Sequence, residues 1–110
     1  MENLKIAQKW EDMTAYAYIM LRHIPKSERY TMGAEIRQSL WYGLKLIARA
    51  NYVRQKMPVL REIDMEIKSI LAIIRVGHSM RVVPTKKYKE LSDRLIEIGK
   101  MLGGWMKSQK

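Results

Sequence analysis

The sequence predicts an all-α protein, an antiparallel up-down-up-down four-helix bundle. Apolar residues recur at steps of three and four in four separate segments, as on one face of a helix. Prolines and short polar stretches separate these segments, and no window alternates apolar and polar residues as a strand would. The predicted helices cover about residues 3–24, 31–53, 58–78 and 85–103 of one domain, 1–110. Because short loops join helices of similar length, neighbouring helices should run antiparallel.

Residues at the breaks predict where the helices begin and end. Thr31 and Thr85 precede the second and fourth apolar stripes, where a hydroxyl is able to cap the first free N–H groups. Pro58 suits the first turn of the third helix, since the N–H that it lacks would have no partner there. Gly103 and Gly104 should end or loosen the fourth helix, because glycine is a poor helix former.

The second predicted helix combines the clearest apolar periodicity with an excess of positive charge. Its apolar stripe follows steps of four and three along one face: Met32, Ile36, Leu40, Leu44 and Ile47. Another face carries a second series of residues at steps of four: Arg37, Trp41, Lys45 and Arg49. An indole between cations could contact nucleic acid, or it could pack on a neighbouring helix or subunit. For burial between subunits the candidates are Trp10, Tyr16, Tyr18 and Trp41.

The formal net charge of +10 points to an anionic partner, and its distribution is uneven. Residues 1–28 carry four basic and four acidic side chains, and 29–56 carry six against one. Residues 57–84 carry four against three, and 85–110 carry seven against three. The up-down topology should collect these charges at the bundle ends. One end is expected to carry Lys26, Arg29, Arg81, Lys86 and Lys87, and the other end Arg54, Lys56 and Arg61.

Several chemistries lack the residues that they require. The chain has no Cys, which removes disulfides, Cys nucleophiles and iron–sulfur ligation. Its two His show no metal-ligand spacing, and we expect His23 and His78 to sit at helix ends, favoured by the helix dipole. No nucleophile elbow or phosphate-binding loop is present. We therefore expect no catalytic residues, metal or cofactor, although an enzyme with an unrecognised bundle site remains the third hypothesis.

The longest apolar run has seven residues, 15–21, far short of the ~20 that span a bilayer. The first residues also lack the order of a signal peptide. These features predict a cytoplasmic protein that does not insert into a membrane.

Nucleic-acid binding is the activity that the charge favours, through phosphate contacts without base specificity. A basic helical scaffold for other polyanions, ribosomal RNA or an anionic membrane surface, is the alternative. The candidate contacts are Arg37, Lys45, Arg49, Arg54, Lys56, Arg61, Lys68, Arg75, Arg81, Lys86 and Lys87.

Two groups of motifs carry a resemblance to known proteins. Residues 24–33 (IPKSERYTMG), followed by Ile36-Arg37, resemble the four-helix-bundle family that includes proteins encoded in ribosomal-RNA intervening sequences. The ANY at 50–52, the LSDRL at 91–95 and the MLGGW at 101–105 resemble the accessory variability determinant (Avd) of diversity-generating retroelements. Residues 46–51 read LIARAN, where the intervening-sequence proteins typically carry Asn-Ile-Ala-Glu-Gly, and this departure favours Avd.

The resemblance implies a function that the residues alone do not derive. Avd proteins are basic, barrel-like homopentamers that bind the reverse transcriptase of the element and its template RNA. They support the error-prone cDNA synthesis of mutagenic retrohoming. The resemblance therefore implies three partners for this chain: the reverse transcriptase, template RNA together with cDNA or DNA, and further copies of itself.

Overall fold

The computed structural model describes residues 3–109, and it contains four long α-helices joined by short loops. The helices are α1 (Asn3–Leu21), α2 (Met32–Tyr52), α3 (Met57–Ser79) and α4 (Thr85–Lys107), with a 3-10 turn at Lys26–Glu28. Helix α1 packs mainly on α2 and α4, and α3 packs mainly on the same two helices. No strand occurs within residues 3–109. The predicted all-α four-helix bundle is confirmed.

The bundle is elongated, 44 × 22 × 19 Å, and its two ends are built differently. One end, which we call the loop-pair end, holds the loops 22–31 and 80–84. Residues next to these two loops lie close together, since a Cβ on Gly77 would lie within 3 Å of side-chain atoms of both Met32 and Val83. The single-loop end holds residues 53–56 together with the start of α1 and the close of α4. A shallow pocket at this end is lined by both Asn3 and Trp105. The predicted grouping of loops at opposite ends is therefore present.

The core runs the length of the bundle and takes aliphatic side chains from all four helices. Its fully buried members include Ile36, Leu40, Ile63, Ile70 and Leu91. Burying an aliphatic side chain contributes about 1.5–3 kcal/mol, so this shared core is the main stabilising element.

Trp10 belongs to this core, and its predicted burial between subunits is wrong. Its side chain is 0% exposed within the single chain. The six-membered ring of the indole packs against Gly43 of α2, where no side chain intervenes, and its Nε1 donates to the carbonyl oxygen of Leu40 at 2.8 Å. The absence of a Cβ at Gly43 therefore lets α1 and α2 approach closely around a large ring.

Two helix ends differ from the sequence prediction. Helix α1 stops at Leu21 rather than near residue 24, and a turn leads into Pro25. Helix α4 continues through Gly103 and Gly104 to Lys107. Leu102 and Trp105 are 1% and 5% exposed, so the apolar stripe extends past the glycines. Burial of these side chains outweighs the cost of about 1 kcal/mol for each glycine in a helix.

Neither predicted threonine caps its helix through its side chain. Thr31 precedes α2, but its Oγ1 pairs with the Glu28 carboxylate at 3.2 Å instead of a free helical N–H. Helix α4 begins at Thr85 itself, after Pro84, and the Thr85 Oγ1 lies 3.0 Å from Nε2 of His78. Both hydroxyls thus serve contacts near the loop-pair end, and the predictions of side-chain caps are wrong.

Candidate nucleic-acid interface

The predicted phosphate contacts fall into two groups by their exposure. Arg37, Lys56 and Lys87 are half-buried. The remaining eight side chains are exposed: Lys45, Arg49, Arg54, Arg61, Lys68, Arg75, Arg81 and Lys86. The structure does not gather these eight into one patch, because they lie on α2, on α3 and at both bundle ends.

Two of the half-buried cations hold backbone carbonyls. One guanidinium nitrogen of Arg37 donates to the carbonyl oxygen of Arg29 at 2.7 Å, which ties α2 to the preceding loop. Lys56 Nζ donates to the carbonyl oxygens of Ala50 and Val53, each at 2.7 Å. Carbonyls at the last turn of a helix lack intrahelical partners, and a cation there also favours the negative end of the dipole. Both side chains have a structural role that competes with phosphate binding.

The single-loop end carries three exposed arginines and an exposed tyrosine. Arg49 lies in the last turn of α2, Arg54 in the following loop and Arg61 in the second turn of α3. All three are exposed. Tyr52, the last residue of α2, is 91% exposed. Tyr52 is not among the predicted contacts, although it lies off the apolar stripe and between two arginines in the sequence, which is a usable signal.

The loop-pair end carries a second group of cations. Arg81 follows α3 with a φ of 62°, in the left-handed region that a residue with a Cβ rarely adopts. Lys26 and Lys86 are exposed in the neighbouring loop and at the start of α4. Tyr30, 86% exposed, lies here, two residues after Glu28, whose carboxylate accepts a hydrogen bond from the Thr31 hydroxyl. The loop-pair end is therefore basic but mixed in charge.

The row of Arg37, Trp41, Lys45 and Arg49 on α2 is divided by the fold. The Trp41 Nε1 donates to the hydroxyl oxygen of Tyr18 on α1 at 2.7 Å, and the two rings meet edge to face with centroids 6.0 Å apart. Trp41 is still 50% exposed. The indole thus links α2 to α1 and lines the groove between them, while half of its surface stays open.

On α3 the cations Arg61, Lys68 and Arg75 repeat every seven residues, so they share one face about 10 Å apart. The middle member of this row, Lys68, forms an ion pair with Asp64 one turn earlier. A carboxylate beside it reduces its attraction for a phosphate, so the positive charge of the row is least offset at Arg61 and Arg75.

A shallow cleft of about 940 Å³ lies between α2 and α3. Glu35, Glu66 and Lys45 line it together with Trp41 and Tyr42. Two carboxylates against one ammonium make this cleft a poor cradle for phosphate.

Tyr42, beside the cleft, donates a hydrogen bond to the Glu62 carboxylate at 2.7 Å. This hydrogen bond is the main reason why the pKa of Tyr42 is raised above its usual value, and desolvation and the negative charge of Glu62 add to it. Tyr42 therefore stays neutral and keeps donating across the physiological range.

His78 links α3 to α4 at the loop-pair end. Its ring stacks on Tyr88 with centroids 4.4 Å apart and an angle of 11° between the planes, and Nε2 meets the Thr85 hydroxyl. Across residues 3–109, no three His, Asp or Glu side chains converge as they would around a metal ion. Over the same residues, no helix is long and apolar enough to cross a bilayer.

The fold and the charge distribution define the class of protein: a basic four-helix bundle with cations at both ends and along two helices. A comparison with protein-family models matches the bAvd-like family over residues 4–109. The match covers nearly the whole chain, and the chain belongs to this family. No curated protein is significantly similar to it. The predicted kinship with Avd proteins is confirmed.

Proposed function

We propose that this protein is a non-enzymatic accessory protein of a diversity-generating retroelement. It binds the reverse transcriptase of the element and the template RNA, with the cDNA made from it, as a homopentamer that supports mutagenic retrohoming. Membership of the bAvd-like family over residues 4–109 is the observation that carries this proposal.

The exposed cations support the nucleic-acid part of the proposal. Arg49, Arg54 and Arg61 surround the single-loop end, and Arg81 and Lys86 lie at the other. Five chains at +10 each would place roughly +50 on one assembly, which a polyanion would neutralise with release of its counterions. The predicted contacts are to phosphates, so affinity should depend strongly on salt and weakly on base sequence.

The first experiment measures the affinity of the nuclease-treated protein for a structured RNA and for duplex DNA across a salt series. We expect log affinity to fall linearly with log salt, by about 0.7 to 0.9 for each phosphate neutralised. The double variant Arg54→Gln/Arg61→Gln should weaken binding and reduce this slope by up to about 1.8 for each chain that contacts the nucleic acid. Lys89→Gln is the matched control, because Lys89 is exposed but paired with Asp93 at 3.2 Å.

Three results would count against nucleic-acid binding as the function. The first is no binding even at low salt, which would leave the charge as a solvated surface. The second is equal weakening by the control and by the double variant. The third is stronger binding to anionic vesicles than to RNA, which would favour the membrane-surface alternative.

The reverse-transcriptase part is tested separately. The tagged protein and the enzyme of the same element should copurify after nuclease treatment, and the complex should survive in salt that releases free RNA. Loss of the enzyme at that step would mean that RNA alone joins the two proteins.

Exposed apolar side chains on different faces support self-association. Met65, Val76 and Met80 are 56–60% exposed on α3 and just after it, and Ile96 is exposed on α4. A closed ring needs two different surfaces that meet head to tail, and the exposed apolar residues of α3 and α4 are our candidates for them. Val76→Glu should lower the mass found by light scattering from about five chains towards one. A wild-type protein of single-chain mass would refute the pentamer.

A further inference from the structure

The aromatic side chains differ in how far their rings and polar atoms are already engaged. Tyr16 lies under the Arg94 guanidinium at 4.9 Å, and Tyr88 stacks on His78. Trp41 and Tyr18 are paired with each other. Tyr52 is the most exposed aromatic residue within residues 3–109, at 91%, and its hydroxyl has no hydrogen-bond partner there; Tyr30, at 86%, comes next. Such a ring offers its surface to a partner from outside the chain.

The surroundings of Tyr52 are cationic. Arg49 lies three residues earlier on α2, a spacing that brings two side chains onto neighbouring positions of the helix surface. Arg54 follows two residues later in the loop, and it is exposed. No Asp or Glu occurs from residue 36 to 61. A partner at this ring therefore meets positive charge on both sides of it along the chain.

Hydrogen bonds also hold in place the backbone that carries the Tyr52 ring. The Val53 N–H donates to the carbonyl oxygen of Arg49 at 2.9 Å, which continues the helical pattern past Tyr52. Lys56 binds the carbonyl oxygens of Ala50 and Val53 and so closes the loop that carries Arg54. Little ordering of the backbone is then needed when a ligand binds, and this limits the entropic cost of association.

We propose that Tyr52 is a stacking platform for unpaired bases, and that Arg49 and Arg54 hold the flanking phosphates. This proposal rests on the proposed function and deepens it, because it assigns single-stranded nucleic acid to one end of the bundle. A planar aromatic ring between cations is the common arrangement for single strands, because every base has a face to stack while each nucleotide carries a phosphate. Paired bases inside a duplex are not available to the ring.

Tyr30 provides a matched comparison at the opposite end. It is the same residue type and is 86% exposed, but Glu28 and Glu35 lie within five residues of it. The Glu28 carboxylate pairs with the hydroxyl of Thr31, the next residue. Arg29 and Lys26 also lie nearby in the chain, so the charge around Tyr30 is mixed, whereas around Tyr52 it is entirely positive. A Tyr30 variant therefore removes the same side chain from a setting that does not favour the same ligand.

The test uses an unpaired RNA and an RNA duplex of equal length, each with a fluorescent adenine analogue. Tyr52→Ala should weaken binding of the unpaired RNA about 5- to 160-fold, the range found when one stacked base loses its aromatic partner. Binding of the duplex should change less than about twofold, and the salt slope should stay the same because no charge is removed. Tyr52→Phe should bind as the wild type does, and its stacking should quench the analogue equally.

The outcomes separate this proposal from the proposed function. Equal affinity of Tyr52→Ala and wild type for the unpaired RNA would refute the platform, while salt-dependent binding would still support the proposed function. An equal loss on both RNAs, or an equal loss with Tyr30→Ala, would also refute it. Failure of the wild type to bind either RNA would refute both. Circular dichroism of each variant checks that the helices are retained, as expected for so exposed a side chain.

Discussion

Replacing Gly43 with alanine should destabilise the bundle, because the site has no room for a methyl group. A Cβ there would lie 2.5 Å from Cε2 of Trp10 and 2.8 Å from Cη2, and closer still to Cζ2. The indole cannot easily move away, since it is fully buried and its Nε1 donates to the carbonyl oxygen of Leu40 at 2.8 Å. Either α1 and α2 separate or the ring shifts and this hydrogen bond is lost.

The expected magnitude follows from three effects. Overpacking a core costs about 1–3 kcal/mol, and leaving a buried hydrogen-bonding group without its partner costs about 1–3 kcal/mol more. Alanine regains about 1 kcal/mol as the better helix former. The net change in the free energy of unfolding is a loss of about 3 kcal/mol, which corresponds to a Tm lower by roughly 12 °C at about 4 °C per kcal/mol.

Thermal and urea unfolding followed by circular dichroism measures this change for Gly43→Ala beside a matched control. In Gly99→Ala the new Cβ would have no heavy atom within 4 Å. The control should be as stable as the wild type or gain up to about 1 kcal/mol. Both variants are measured at two protein concentrations to separate folding from assembly. A Gly43→Ala protein at least as stable as the wild type would refute the close packing of Trp10 on α2.

Three further predictions concern side chains at the surface. Lys56→Gln should lower the free energy of unfolding, measured in urea, by about 1–3 kcal/mol, because two carbonyls lose a charged donor. The control Arg54→Gln, at an exposed neighbouring residue, should leave this free energy unchanged. Equal effects of the two variants would contradict the role of Lys56 at the end of α2. Arg81→Gly should raise the free energy of unfolding by about 1 kcal/mol, because glycine adopts a φ of 62° without strain. The same variant should weaken RNA binding, since it removes a cation. A drop in stability would contradict the strain at Arg81. The raised pKa of Tyr42 means that its neutral form is favoured in the folded state, so its contribution to stability is present below pH 10.0 and is lost as pH rises through the folded-state pKa. Ultraviolet titration should show late-ionising tyrosines, since desolvation also raises the pKa of Tyr16. Tyr42→Phe should remove one of these late-ionising groups, and loss of a tyrosine that ionises in the ordinary range instead would contradict the hydrogen bond to Glu62.

Helical periodicity was sufficient to predict the four helices, but not which side chains lie deepest. The predicted stripe on α2 includes Ile36 and Leu40, which are fully buried, and also Leu44, which is only half-buried. Gly43 faces the core instead, because the large ring of Trp10 arrives from α1 and needs a position without a side chain. Such a pairing across 33 residues has no local signature in the sequence.

Helix ends were harder to predict because tertiary contacts override local preference. Glycine propensity predicted an end near residue 103, yet burial of Trp105 extends α4 by a further turn. Thr31 and Thr85 have the chemistry of a cap, but each hydroxyl has a nearer partner, in Glu28 and His78 respectively. These partners depend on how the loops fold back at the loop-pair end.

For the candidate interface, the sequence predicts the number of cations but not their availability. The formal charge weighs all eleven predicted contacts alike, yet Arg37 and Lys56 are bound to carbonyls and Lys68 to a carboxylate. Without these three, eight of the eleven predicted contacts remain, Lys87 among them, and they have no such bond inside residues 3–109. At about 0.7 for each phosphate neutralised on single-stranded RNA, eight contacts set an upper limit of about 6 on the salt slope per chain. A steeper slope would require contacts outside the predicted set. Arg37 and Lys56 also stabilise the loops that carry exposed cations. Their removal would therefore reduce binding through loss of structure, so a charge-neutralising series should spare them and begin with Arg49, Arg54 and Arg61.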